Sequence, residues 1–166
     1  LIGEVHLNRT VVGVSDTSGG AEVVCGDGTV YRADHVVCSL PLPVMRHVRF
    51  DPFLPSVQAK AISMVPYFPM TQVHLVATEP FWEDDEWSPD MWTDTVAGHV
   101  IGNRHNVENS DVTSLTAWAR GFTAHKLDRA SPEEGMAWVV SELERIRPSA
   151  KGKLEARYIK SWMRDP

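Results

Sequence analysis

Several features that would place a protein in a class at once are missing from this sequence. Its 166 residues include two cysteines, Cys25 and Cys38, too few for a disulfide framework or a metal set. Both are expected to be free, buried thiols, with a single disulfide between them as the alternative. The seven histidines show no metal-ligand spacing. No apolar run approaches the roughly 20 residues that a membrane-spanning helix needs. These absences exclude a module built on a framework of several disulfides, and we expect neither a metal nor a membrane segment.

Positive charge is scarce and dispersed. Lysine and arginine number 16 against 22 aspartates and glutamates, which gives a formal net charge of −6, and the basic residues form no stripe. This balance argues against nucleic acid or an anionic membrane surface as the partner. The chain begins at Leu1 without an initiator methionine, so we expect the true start to be missing. No signal peptide is recognisable, and a cytoplasmic location is the working expectation.

The first forty residues predict extended structure. Segment 10–15 is a β-branched run, and segments 21–25 and 29–32 flank Asp27-Gly28, whose chemistry favours a tight hairpin. Segment 35–40 is a near-continuous apolar run, typical of a strand buried on both faces, and it ends at the proline turn 41–43. Together these segments predict a small β-meander followed by a buried strand.

The remainder predicts helices mixed with further strands. Segment 56–64 has helical spacing, and Ser131 with Glu134 forms a capping box before an apolar-faced helix that ends at Pro148. Strand-like patterns are found at 72–77, 91–94, 99–102, 113–120 and 154–162. Strands and helices do not alternate strictly, so the class is α+β: a mixed, largely antiparallel sheet with flanking helices, plus the meander.

Three sequence segments, taken in order, carry a resemblance. The first is 5–12, followed by 27–34 and 36–41; the second is Phe50-Asp51-Pro52, followed by 59–62 and Pro80-Phe81-Trp82; the third is 162–166. Their order and spacing, over nearly the whole chain, resemble those of the monoamine oxidase, polyamine oxidase and L-amino-acid oxidase superfamily.

The resemblance implies an internal piece of an enzyme that wraps FAD. On this reading residues 1–41 belong to the FAD-binding domain, residues 42–155 to a substrate-binding domain, and residues 156–166 return toward the FAD-binding domain. The chain has no G-x-G-x-x-G fingerprint, and Gly19-Gly20 lies in a turn between strands rather than before a helix. The glycine-rich flavin segment expected after Asp165-Pro166 is absent as well. We therefore expect the piece alone to be inactive.

The resemblance also implies four cofactor contacts. Val11 matches a position whose backbone contacts the adenine end of FAD. Ser39 and Pro41 lie where the chain passes near the cofactor on its way into the substrate domain. Trp162 matches an aromatic position near the isoalloxazine ring.

Gln72 is where the sequence departs from the family's pattern. Counted back from Pro80-Phe81-Trp82, it occupies the place of a lysine that holds a water close to flavin N5 in many amine oxidases. An amide can still hydrogen-bond a water, but it carries no positive charge. His74 follows Gln72 by two residues and is therefore predicted to lie on the same face of the strand, as a substrate-pocket group.

Aromatic residues are predicted to form one wall of a substrate cavity or, as the alternative, a core cluster under a long loop. They are Phe81, Trp82 and Trp92, together with Trp87. The neighbouring acidic run 83–86 is interpreted as a solvated loop.

The resemblance implies an oxidase that converts a small-molecule amine to an imine and reduces O2 to hydrogen peroxide. Two alternatives stay open: another flavoenzyme of the superfamily, desaturase-like or protoporphyrinogen-oxidase-like, and a substrate-domain module without catalysis. The sequence does not determine the oligomeric state, and a homodimer is one option.

Overall fold

The structure is a computed structural model that describes residues 3–104 and 111–164. It divides into two compact units, Leu1–Tyr67 and Phe68–Pro166. Asp165 and Pro166, which close the third matched segment, lie outside the described residues. The boundary at Tyr67 differs from the predicted one after Pro41, and the assignment of segments to FAD-binding and substrate-binding domains stays a prediction.

The first unit contains a four-stranded sheet with the order β3-β2-β1-β4. Its strands are β1 (Val11–Thr17), β2 (Gly20–Cys25), β3 (Val30–Ala33) and β4 (Arg49–Asp51). The first three form the predicted antiparallel meander, and β4 pairs with β1 in parallel. Gly28 supports the β2–β3 turn with a φ of +85°, a conformation that glycine adopts without steric cost.

One predicted strand of this unit is wrong. Residues 35–40 form no strand, and all six are exposed, including Val37 at 93%. A strand forms when a neighbour completes its hydrogen-bond ladder, and no described strand pairs with this segment. Cys38 is consequently exposed rather than buried, whereas Cys25 is a buried free thiol as expected. A short helix α1 (Leu42–Met45) follows, and α2 (Ser56–Met64) is where the sequence predicts it.

The second unit is built on an antiparallel five-stranded sheet. Its strands are β5 (Met70–Ala77), β6 (Met91–Trp92), β7 (His99–Arg104), β8 (Val112–Arg120) and β9 (Leu154–Ser161). They are ordered β6-β7-β8-β5-β9, which puts β5 between β8 and β9. All five strands correspond to predicted segments, and the α+β class is confirmed.

Two helices, α3 (Phe122–Arg129) and α4 (Pro132–Ile146), pack on one face of this sheet, which we call the helix face. The core between them is apolar and includes Val73, Leu75 and Leu143, each at most 1% exposed. The predicted capping box starts α4: Ser131 Oγ accepts from the Glu134 amide, and the Glu134 carboxylate accepts from the Ser131 amide.

The other face of the second sheet, which we call the outer face, carries no helix of the second unit among the described residues. Side chains alternate between the two faces along a strand, so Gln72 and His74 lie on the outer face while Val73 and Leu75 lie in the core. Within the described ranges, no helix is long and apolar enough to span a bilayer.

Candidate functional site

The outer face is a continuous surface to which all five strands contribute. Antiparallel partners place their side chains on the same face, and the register therefore aligns one row across the sheet. This row consists of Trp92, His99, Trp118, Gln72 and Lys160. A second row consists of Ile101, Thr116, His74 and Tyr158. Aromatic and hydrogen-bonding side chains dominate both rows.

Gln72 and Trp162 are joined by a direct hydrogen bond. The Trp162 indole Nε1 donates to Gln72 Oε1 at 2.8 Å. The Trp162 backbone amide also donates to the Met70 carbonyl at 3.0 Å, which fixes the residue just beyond the end of β9. Gln72 is 7% exposed, whereas Trp162 is 51% exposed. The structure therefore brings together the predicted catalytic position and one predicted cofactor contact.

The orientation of the Gln72 amide follows from this bond. Because Oε1 accepts from the indole, Nε2 is the group left for another partner. Within residues 3–104 and 111–164, Gln72 Nε2 has no hydrogen-bond partner, and it is not sealed from solvent. Gln72 thus offers an uncharged N–H donor at the outer face.

His74 belongs to a polar network on the same face. Its Nδ1 lies 3.2 Å from Thr116 Oγ1, and Asn103 Nδ2 donates to Thr116 Oγ1 at 2.9 Å and to Ser114 Oγ at 3.1 Å. The His74 ring stacks on Tyr158 with 6.0 Å between the ring centroids. The network and the stacked ring together restrain the imidazole.

Trp92 lies at the far end of the face, on the short strand β6. Its ring stacks on His99 at 3.8 Å and 6°, and the Arg120 guanidinium lies 5.8 Å from its centroid. Trp92 is 73% exposed, and Tyr158 is 55% exposed. Aromatic side chains are therefore accessible at both edges of the outer face.

Phe81 and Trp82 lie apart from this surface. Phe81 is 1% exposed and is part of the core, where Trp82 meets it edge-on at 5.0 Å. The Arg147 guanidinium lies 4.9 Å from the Phe81 centroid. The structure therefore does not group these two residues with His74 and Trp92 on the outer face.

Arg147 ties the acidic loop to the core. It is 5% exposed and donates to both carboxylate oxygens of Asp85, at 2.7 and 2.8 Å. Ser149 Oγ donates to the same carboxylate at 2.5 Å. These hydrogen bonds hold the pKa of Asp85 well below its usual range. Asp85 thus has a structural partner, although Glu83 and Glu86 in the same run are exposed.

The remaining predicted cofactor contacts belong to the first unit. Val11 opens β1, opposite Cys25, beside a register shift that separates it from Gly13. Ser39 and Pro41 are exposed and lie in an irregular segment just before α1. The cofactor contacts of these three residues stay predictions.

Comparison with known proteins decides the family. The sequence model of one family, described as flavin containing amine oxidoreductase, matches residues 2–166. This chain belongs to that family. FAD is the cofactor of the amine oxidoreductases it resembles, as the sequence predicts for the full-length protein.

Similar proteins include two curated oxidases and one solved structure. Polyamine oxidase 4 of Oryza sativa subsp. japonica is 26% identical over 166 residues, which covers 98% of this chain and 33% of the relative. An L-amino-acid oxidase of Crotalus adamanteus is 30% identical over 157 residues, covering 92% and 30%. A structure of putrescine oxidase bound to putrescine is 25% identical with a TM-score of 0.70, covering 97% and 36%. The chain thus spans about a third of the length of these flavin amine oxidoreductases.

The side chains of the outer face fit one side of a flavin. The ring system of a flavin is planar and aromatic, with hydrogen-bonding atoms at its edge, and the 51% exposed indole of Trp162 offers a matching aromatic surface. Trp162 also holds the Gln72 carboxamide, whose Nε2 has no partner among the described residues and can donate to an atom at the edge of the ring. The sequence contains no G-x-G-x-x-G fingerprint for the phosphate-binding part of a flavin site.

Sequence reasoning missed Thr116 and Asn103, which support His74. Thr116 lies on the predicted strand 113–120, whereas Asn103 lies one residue beyond the predicted strand 99–102. The alternation of β8 already places Thr116 on the face of Ser114 and Trp118. What the sequence did not show was that β8 pairs with β5 in a register that sets Thr116 against His74.

Proposed function

We propose that the protein containing this chain is an FAD-dependent oxidase that converts a small-molecule amine to an imine and O2 to hydrogen peroxide. The substrate carbon gives up a hydride and its nitrogen a proton. Dioxygen takes up the same two electrons and two protons. The bound flavin supplies the hydride acceptor. The observation that carries the proposal is the Trp162–Gln72 pair on the outer face of a sheet from a flavin amine oxidoreductase.

Trp162 has a positioning role in this proposal. Its indole N–H fixes the Gln72 carboxamide with Oε1 toward the indole, so Nε2 is left to hold a water or a substrate atom. An amide donor can orient a water by its hydrogen bond but adds no charge to polarise it. We therefore expect Gln72 to position a water as the family's lysine does, without supplying the lysine's positive charge.

The aromatic side chains around this pair exclude water from the reacting carbon. Trp162, Tyr158 and Trp118 stand beside Gln72 and His74 on the outer face. Such surfaces line small-molecule sites, where they orient a substrate and limit hydration of a charged amine. This supports an amine substrate of modest size with an apolar part.

The isolated chain is proposed to be inactive, because its outer face supplies one wall of a site and lacks a phosphate cradle. The 166-residue protein is therefore expected to purify without a flavin absorbance band while unfolding cooperatively. A stoichiometric flavin band in that sample would contradict this part of the proposal.

The test of function uses the full-length protein. Purified with its flavin, it is mixed with a panel of monoamines, diamines and amino acids, and peroxide release is measured with O2 uptake. Peroxide formed in equal amount to the O2 consumed, with at least one amine, is the expected result. Flavin that no amine reduces in the absence of O2 would contradict the proposal and favour a desaturase-like or protoporphyrinogen-oxidase-like flavoenzyme.

A further inference from the structure

The network behind His74 determines which ring nitrogen carries the proton. Asn103 Nδ2 has two hydrogens, and its two contacts are the hydroxyl oxygens of Ser114 and Thr116. Thr116 Oγ1 is therefore an acceptor toward Asn103. A hydroxyl has one proton to donate in return.

The Thr116 proton has one acceptor within reach. Thr116 is 4% exposed, so its hydroxyl has little access to bulk water. Its other contact among the described residues is His74 Nδ1, at 3.2 Å. Donation along this contact makes Nδ1 an acceptor, and a neutral imidazole then carries its proton on Nε2.

The second ring nitrogen is directed away from the network. Within the part of the chain that the structure describes, His74 Nε2 has no hydrogen-bond partner and is not sealed from solvent. The stack on Tyr158 and the bond to Thr116 hold the ring from two sides. The result is a fixed N–H donor that lies two residues from the Gln72 donor on the same face.

We propose that Thr116, held by Asn103, is a positioning residue that fixes His74 as an outward Nε2–H donor to an oxygen acceptor on the substrate. The acceptor is a carboxylate or carbonyl group placed away from the reacting amine. The inference rests on the proposed function in one respect, that the outer face lines the substrate pocket. It extends that function to a specificity-determining group.

The test measures ligand binding by the flavin-loaded full-length protein at one mildly alkaline pH. Three probes share a phenyl ring: benzoate carries a carboxylate, benzamide a carbonyl, and benzamidine only donors. Binding is followed through the change in flavin absorbance. We expect Thr116→Val, which keeps the shape of the side chain and removes the hydroxyl, to weaken benzoate about tenfold and benzamide less, with benzamidine unchanged.

Two further variants separate positioning from folding. Thr116→Ser retains the hydroxyl and is expected to restore benzoate binding to within about twofold of wild type. Thr113→Val is the matched control, because Thr113 is an exposed threonine of the same strand whose hydroxyl, among the described residues, bonds the Asn103 backbone carbonyl and not His74. Benzoate affinity should not change in that variant.

Several results would overturn the inference. They are wild-type protein that binds neither benzoate nor benzamide, equal losses for all three probes in Thr116→Val, and no rescue by serine. None of these readouts requires an amine to be oxidised, so a failed amine panel with the expected probe pattern would count against the proposed function alone. If the wild type oxidises an amine but Thr116→Val binds all three probes as wild type does, the result would count against the inference alone.

Discussion

The two faces of the second sheet differ in whether their side chains are buried and hydrogen-bonded within this chain. On the helix face, Val73 and Leu75 are at most 1% exposed and are covered by α3 and α4. Gln72 and His74 each precede one of these core residues along β5 and lie on the outer face. Each keeps a donor nitrogen that has no partner among the described residues. Because side chains alternate along β5, one side of the strand packs in the core and the other presents hydrogen-bond donors.

This division predicts that substitutions on the two faces fail in different measurements. Changes on the helix face should lower the free energy of unfolding, because apolar contacts are lost. Changes on the outer face should leave unfolding nearly intact and alter ligand binding or flavin reduction. Adjacent residues of β5 offer the closest comparison.

The largest expected effect is that of Leu75→Ala in the core. Removing a fully buried leucine side chain leaves a cavity and costs about 2–5 kcal/mol of unfolding free energy. His74→Ala, at the adjacent position on the outer face, removes the acceptor of the Thr116 hydroxyl and should cost less, about 1 kcal/mol, because it opens that hydroxyl to water instead of leaving an apolar cavity. Thermal and denaturant unfolding of both variants measures the difference. Equal destabilisation by the two substitutions would remove the distinction between the faces.

Trp162→Phe is expected to have the next largest effect, on flavin reduction by an amine. The variant keeps an aromatic ring but removes the indole N–H that donates to Gln72 Oε1, so the Gln72 amide is free to turn away from the position that holds a water or a substrate atom. We expect the rate constant for flavin reduction, measured by stopped-flow absorbance, to fall about tenfold.

Trp92→Phe is the control for that variant. Trp92 is an exposed tryptophan of the same face, and no hydrogen bond of its indole N–H is found in the described residues. Similar losses in both variants would show that ring size, rather than the bond to Gln72, controls the reaction.

Most of the fold follows from the sequence, for reasons visible in particular elements. The Ser131–Glu134 capping box and the Asp27-Gly28 turn specify local structure through their own hydrogen bonds and backbone preferences, and both are confirmed. Helix α3 was not predicted, because Ala124 and Leu127 are its only buried residues and this is too short a pattern to indicate an amphipathic face.

The segment 35–40 shows the opposite error. Its apolar, β-branched residues indicate a buried strand, but pairing depends on a neighbour, and none of the described strands supplies one.

The candidate site was predictable to the same limited degree. Spacing placed Gln72 and His74 on one face, whereas the bonds to Trp162 and Thr116 depend on which strands flank β5. Sequence spacing gives no information on strand order.

The next largest effect is expected at the N-terminus of α4, one of the two helices that cover the helix face. Ser131→Ala removes the side-chain oxygen that accepts from the Glu134 amide and should cost about 1 kcal/mol of unfolding free energy. Ser141→Ala, on the exposed side of the same helix, makes the same chemical change without a capping role and should be neutral or slightly stabilising. Thermal unfolding distinguishes the two, and an equal loss in both would contradict the capping role.

The smallest expected effect is the pH dependence that Asp85 confers. Arg147 and Ser149 lower the pKa of Asp85 in the folded protein, so its contribution to stability is complete above the unfolded-state pKa of about 4 and is lost as pH falls through the folded-state pKa. Asp85→Asn should therefore lower the melting temperature at neutral pH, with a difference from wild type that shrinks below about pH 4. We expect a small effect because 26% of the Asp85 side chain is exposed, so water screens its charge, and because the buried Arg147 keeps its hydrogen bonds to the Ser88 and Trp87 carbonyls. Glu83→Gln, in the same loop, is the control: its melting curve should follow that of wild type, and a matching pH dependence in both variants would assign the effect to net charge rather than to the Arg147 contact.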